Sequence, residues 1–230
     1  MTLLEELYKE IENDKKHIFE SCANIWEIDE FARKNKYILP DDLRAFYRKY
    51  SWVKLFNGEY GYSTYRFIPI SEIHPTRIDV LGKDNDENGP KDWITICDIM
   101  EGNYICIDLS SRNVEQWNYI DCFHETFAQP GQCTIIAKTF TELLERALHG
   151  GNNLYYHKKS FVGYGDGRPL TTKNASIRIE NPDPSKNGWI ARFTIKEKKK
   201  VFDKFFRDDD YGGKGGSFEA IKQYIEESLK

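Results

Sequence analysis

Three short stretches of this chain carry residue types that could do chemistry. Asp84-Asn85-Asp86-Glu87-Asn88-Gly89 matches the first half of a calcium-binding loop, in which oxygens at alternate positions wrap a hard cation. The twelfth position should be a bidentate Glu and is Thr95, and Pro90 with a strand pattern follows where a helix should. The stretch therefore reads as an acidic surface loop. His124-Glu125-Thr126-Phe127-Ala128 begins like the helix of a zinc protease, but the second His is absent and Pro130-Gly131 stops any helix. Cys122, His124 and Cys133 could supply three soft ligands, yet their spacing matches no standard zinc pattern. Buried free cysteine is the plainer reading, and Cys97 and Cys106 sit inside strand patterns as core residues.

Nucleophilic catalysis finds no support: there is no Gly-x-Ser-x-Gly elbow. Gly212 to Ser217 is glycine-rich with a lysine but lacks P-loop spacing, and reads as a tight turn before a helix. No catalytic residue, metal ligand or cofactor is assigned. The functions left are binding functions.

Composition sets the frame for them. The 230 residues are 40% hydrophobic and 14% aromatic, enough for a substantial core. No run of about 18 apolar residues suggests a membrane helix, and the acidic start Met1-Thr2-Leu3-Leu4-Glu5-Glu6 is unlike a signal peptide. With five cysteines and no close CxxC, a cytoplasmic protein is expected, without a membrane partner. The net charge of −4 is unevenly spread. Of 33 Lys/Arg and 37 Asp/Glu, residues 151–230 hold 16 and 11, leaving 17 and 26 before them, so the two parts carry +5 and −9. That asymmetry suggests two modules with different partners.

The elements that would position these residues follow from periodicity. Thr2 to Glu5 forms a capping box, and Leu3, Leu4, Leu7, Tyr8 and Ile11 recur at helical spacing. Ile28 to Lys34 is a second short helix. Leu39-Pro40-Asp41-Asp42 opens a third, with Leu43, Phe46, Tyr47 and Tyr50 on one face. After Asn57-Gly58, Tyr60 to Ile70 is strand material, and Pro69 to Ile73 a single helical turn. The centre is Gly102-Asn103 followed by Tyr104 to Leu109. There Ile105, Ile107 and Leu109 alternate with Tyr104, Cys106 and Asp108, the pattern of a half-buried strand. Trp93 to Ile96 and Val114 to Trp117 supply its neighbours, so residues 93–137 form the middle of an antiparallel sheet. Ile135 to Ala137 is a last short strand, and Thr139 to Glu142 caps a helix ending at Gly150-Gly151.

The order Leu-Pro-x-Asp-Leu-x-x-Phe-Tyr (39–47), Asn-Gly (57–58), Phe-x-Pro-Ile-x-x-Ile (67–73), Gly-Asn-Tyr-x-x-Ile-Asp-Leu (102–109) and Ile-Ala-x-x-Phe-x-x-Leu-Leu (136–144) resembles the SUKH superfamily. That group includes cell-wall-synthesis regulators of the Smi/Knr type and many bacterial immunity proteins. The resemblance spans roughly residues 15–150 and departs at Asn57-Gly58-Glu59, where many relatives carry a second Gly. It implies a non-catalytic protein that binds a cognate toxin.

Residues 150–173 hold five glycines without clear periodicity and read as linker or irregular wrap. Beyond them lies a β-β-β-α pattern: Ala175 to Glu180, Trp189 to Ile195, Val201 to Phe206, then a helix from Ser217. With Tyr211-Gly212-Gly213-Lys214, this order looks like a bacterial form of the apetala/ethylene-response-factor type DNA-binding domain. The resemblance implies a three-stranded sheet entering the major groove, with Arg178, Arg192 and Lys204 as outward basic residues. Against it, Lys196 to Lys200 is equally a solvated hairpin turn, and Asp208-Asp209-Asp210 would repel phosphate.

The expected architecture is α+β. A SUKH-like partner-binding domain of helices around a central antiparallel sheet occupies 1–150, a linker 151–173, and a small β-β-β-α module 174–230. The expected function is an immunity protein that neutralises a toxin, a nuclease being one class, through its acidic domain. Asp84, Asp86, Glu87 and the aromatic Trp117, which reads equally as core, are the candidate contacts. The alternative is a DNA-binding regulator acting through Arg178, Arg192 and Lys204.

Overall fold

A computed structural model describes residues 2–22, 24–58, 63–85, 89–110, 117–129, 131–168, 170–171, 175–180, 188–195 and 200–207. Its centre is a seven-stranded antiparallel meander in chain order: β1 (Ile18–Ser21), β2 (Tyr50–Asn57), β3 (Ser63–Phe67), β4 (Trp93–Asp98), β5 (Tyr104–Asp108), β6 (Asn118–Cys122) and β7 (Ile135–Ala137). Each strand pairs with the next, so every connection is local or carries a helix.

Helices α1 (Leu3–Asn13), α2 (Glu27–Asn35), α3 (Asp41–Lys49) and α5 (Phe140–Gly150) share one core with the sheet. The local signals hold. Thr2 and Glu5 form the reciprocal capping box of α1, and Thr139 accepts from the Glu142 amide at the start of α5. Asp42 bridges the two later helices: one carboxylate oxygen takes the Leu43 amide of α3 at 2.9 Å, the other the Thr141 amide of α5 at 2.8 Å. At the centre, the ring of Phe46 lies 4.7–5.5 Å from those of Tyr47, Tyr50, Phe67 and Phe140. Truncating it to Ala would cost about 3–5 kcal/mol.

The other face of the sheet carries a second, smaller core. Trp93, Cys106, Ile120, Cys122 and Ile135 pack there against Phe127, Ala128 and Cys133, with Val80 of α4 (Thr76–Leu81) alongside. Hence β5 is buried on both faces from Ile105 to Asp108, not on one as its alternation suggests, because thiol and Ile both belong to cores. The return strand expected at 114–117 is β6 instead, starting at Asn118, while 114–116 lie outside the described residues. Strands β1 and β2 and helix α4 show no clear periodicity and were not expected.

Of the two readings of 151–173, linker or irregular wrap, residues through 168 form the wrap. Tyr155 and Tyr156 are buried in the main core, and the Tyr155 hydroxyl donates to the Ile136 carbonyl at 3.0 Å. Residues 163–168 then strap the outer edge of β7. Ile135 donates to the Gly165 carbonyl at 2.8 Å, Tyr164 to that of Ile135 at 2.9 Å, and Gly167 to that of Cys133 at 2.7 Å. A Cβ on Gly163 would meet Thr134 Cγ2 at 2.6 Å, and one on Gly167 would meet Ile120 Cδ1 at 2.6 Å, so this approach requires glycine.

Beyond the strap, β8 (Leu170–Thr171), β9 (Ala175–Glu180), β10 (Gly188–Ile195) and β11 (Lys200–Arg207) form a second antiparallel sheet of order β11-β10-β9-β8. The three expected strands are present, and β8 adds a fourth from within the supposed linker. The closing helix expected from Ser217 lies outside the described residues.

Candidate functional site

The acidic loop has a built base. Helix α4 ends at Gly82, whose φ of 68° turns the chain toward β4. From its first turn, Arg77 reaches under the loop. The guanidinium is buried, with the residue only 5% exposed; Nε donates to Asp84 Oδ1 at 2.7 Å and Nη1 to the Gly89 carbonyl at 3.1 Å. One side chain thus ties both ends of the loop. Gly89 closes it with a φ of 134°, its Cα packed so tightly that a Cβ would lie 3.0 Å from Ala128 Cβ. Asp84 itself stays exposed. Burial, followed by Asp92 nearby, raises the Tyr37 phenol above its usual range, and Asp84 adds to that effect. Ile38 beside it is 57% exposed. The Asp84 and Asp92 carboxylates and the Tyr37 phenol therefore lie near one another. Asp86 and Glu87 lie outside the described residues.

Trp117 does not belong to this surface. It is 7% exposed and part of the main core, so it cannot be an exposed contact. Arg77, conversely, was not singled out from sequence. The available signal was an arginine one short helix ahead of an acidic loop.

The other titratable groups are committed to structure. His74 Nε2 pairs with Asp79 Oδ1 at 2.7 Å, the other Asp79 oxygen accepts from Thr95 Oγ1, and Thr76 Oγ1 donates to the Trp93 carbonyl at 3.1 Å. Burial raises the Asp79 carboxyl above the usual range, while Thr95 and His74 pull it back. This chain anchors α4 to β4. The suspected Cys122, His124 and Cys133 ligand set is not assembled. His124 Nδ1 is 2.8 Å from Asn103 Oδ1, Cys133 Sγ is 3.3 Å from the Gln129 carbonyl, and Cys122 Sγ lies against Cys106 Sγ at 3.1 Å. Burial pushes all three thiols up, away from the thiolate that metal binding or attack would need. Among the described residues no group of His, Cys, Asp and Glu is arranged to hold a metal ion. A hollow of about 310 Å³ lies between α5 and residues 155–161, but Arg146 in its wall is taken up by Glu142 at 2.7 Å and the Ile136 carbonyl at 2.9 Å.

In the second sheet the register separates the three basic candidates. Arg192 stands opposite Arg178 on β9 and Asp203 on β11. Lys204 is opposite Ala191, which pairs with Ile179. Lys204 is thus one position out of phase with the arginine pair, in the set that also holds Ile177, Phe193, Phe202 and Phe206. In the backbone register Arg178 and Arg192 are therefore directly paired, and Lys204 is not in register with them.

Comparison with known proteins bears on the first sheet. Residues 22–146 match the sequence model of the SMI1 / KNR4 family (SUKH-1). The chain is also similar to a protein of Bacillus subtilis (strain 168) named "Immunity protein YokJ", with 26% identity over 138 residues, covering 57% of this chain and 78% of that protein. No solved structure matches. Among the described residues no helix is long and apolar enough to cross a membrane.

Proposed function

Because the chain belongs to the SMI1 / KNR4 family (SUKH-1), we propose that it is an immunity protein: a cytoplasmic, non-catalytic binder that neutralises a cognate toxin by covering it. The observation that carries this reading is the similarity to a protein named as an immunity protein, over most of that protein's length. The charge of −9 in residues 1–150 favours a basic partner such as a nuclease. The contact surface in this reading is the acidic loop: Asp84, with Asp86 and Glu87 beside it, and the bordering Tyr37 and Ile38.

Binding is tested by calorimetric titration of the full chain into basic nuclease toxin domains, with nuclease activity followed in parallel. A one-to-one complex and stoichiometric loss of nuclease activity are expected, weakened about tenfold by Asp84→Lys and spared by Arg192→Ala. Complexes indifferent to Asp84→Lys would move the contact elsewhere on the domain. A failure to bind or to protect cells that express these toxins would remove the nuclease assignment. The DNA-binding alternative rests on Arg178, Arg192 and Lys204. Anisotropy of labelled duplex DNA that rises with the full chain, falls steeply with salt and is lost in the triple alanine variant would support it.

A further inference from the structure

We propose that the free edge of the seven-stranded sheet, β1, pairs antiparallel with β1 of a second copy of this chain, about a two-fold axis through Ile18. The inference is independent of what the protein neutralises. A seven-stranded open sheet has two edges, and this one treats them differently. The β7 edge is sealed by the glycine-dependent strap at 163–168. The β1 edge is not.

The direction of its free backbone groups follows from alternation. The Lys16 carbonyl accepts from Asn57 at 2.7 Å and the Cys22 amide donates to Lys49 at 2.9 Å, both toward the β2 side. Even-numbered residues therefore spend their backbone groups inward, and Phe19 and Ser21 turn theirs outward. Among the described residues nothing bonds to the outward groups of Phe19 and Ser21. The strand is regular where it would be used: Ile18, Phe19 and Glu20 pair in unbroken register with Lys54, Val53 and Trp52, and the irregularity comes only after Glu20.

Edge strands usually deter partners with charge. Here the charges do the opposite, because their order is self-complementary. Lys16, Ile18 and Glu20 follow one another at alternate positions on the open face, all three exposed. Antiparallel pairing centred on Ile18 sets Lys16 of each copy opposite Glu20 of the other and brings the two Ile18 side chains together. Two ion pairs flank one apolar contact. Phe19 donates to the His17 carbonyl of the second copy, and the reverse. The Trp52 indole donates to the Glu20 carboxylate, and the Lys54 ammonium lies 5.7 Å above the indole ring, so Glu20 is already held beside the edge. Pairing confined to residues 16–20 makes a small, reversible contact whose extent depends on concentration.

The test is sedimentation velocity with light scattering on the full chain from about 1 μM to about 300 μM. The weight-average mass is expected to rise from 27.0 kDa toward twice that value. Lys16→Glu and Glu20→Lys each place like charges opposite one another twice and should weaken association about tenfold. The double reversal restores the pairing and the association, although the Trp52–Glu20 contact stays lost; Ile18→Asp abolishes it. Circular dichroism checks that each variant keeps the fold. A mass fixed at 27.0 kDa throughout overturns the proposal. So does association indifferent to Lys16→Glu, or a double variant as weak as the single ones.

Discussion

Arg77 offers the sharpest test of how the acidic loop is built. Its guanidinium donates to Asp84 and to the Gly89 carbonyl, and its side chain is 6% exposed while that of Asp84 is 60% exposed. The two contacts must be weighted differently. The pair with Asp84 ends in water on one side and is screened there, so about 1 kcal/mol is its reasonable share. The Gly89 carbonyl, in contrast, lies in a buried hydrogen bond, and removing the donor strands it at a cost of about 1–2 kcal/mol. Arg77→Ala should therefore destabilise the protein by about 2–3 kcal/mol in urea unfolding.

The decisive readout is local. Amide exchange of residues 82–92 should accelerate well beyond that of β5 and α5, because the tether of both loop ends is lost. Arg77→Lys keeps the charge but cannot reach both acceptors as a fork, so it should recover roughly half of the stability. Unchanged protection of 82–92 in Arg77→Ala, or full recovery by lysine, would refute the reasoning that the fork organises the loop.

Asp42→Ala removes the acceptor shared by the α3 and α5 amides and should lower stability by about 1–2 kcal/mol in thermal or urea unfolding. Asp166 contributes a pH dependence: burial, opposed by the backbone amides of Cys133, Arg168 and Gly131, raises its carboxyl to about 7. A carboxyl harder to ionise when folded favours the fold while protonated, and that contribution is lost as pH rises from about 4 through 7. Denaturant midpoints should show this decline in the native chain and a flatter slope in Asp166→Asn. Truncation after residue 168 should leave a cooperatively unfolding domain, whereas truncation after residue 150 exposes the core under Tyr155 and Tyr156 and should abolish the transition. Thiol titration of the native chain should find Cys22 reactive and the other four cysteines masked until denaturant is added.

Much of the α-rich half was readable from sequence because capping and periodicity are local signals. Thr2, Asp41, Asp42 and Thr139 mark the starts of α1, α3 and α5 within a residue. The β-rich half was less so. The strand β2 follows α3 without a break, and Tyr50, which completes the apolar helical face by spacing, is its first residue. The strand β1 has the exposure of a surface segment, since an edge strand buries little. The face carrying Cys106 gives a mixed signal: the thiol reads as core, but Tyr104 and Asp108 beside it alternate with isoleucines as a half-buried strand would, and only tertiary structure supplies the loop that covers it. Asp84 was legible as an outward carboxylate and Arg77 was not, because its role depends on a contact across the loop. Trp117 failed for the opposite reason: next to a polar turn, its burial is fixed by packing alone.

The family match ends at residue 146, yet the folded unit does not. Helix α1 and strand β1 precede residue 22, and the buried tyrosines and the strap follow residue 150. These additions finish the two rims of the sheet unequally: at β7 the chain supplies its own strap, while at β1 it leaves a short strand with ordered opposite charges. If both rims served only to protect the sheet, the cheaper solution at β1 would be like charge across the axis, which repels a second copy. The order Lys16, Ile18, Glu20 instead attracts one. The charged edge at β1 and the strap at β7 thus lie outside residues 22–146, while the acidic loop on its Arg77 tether lies inside them.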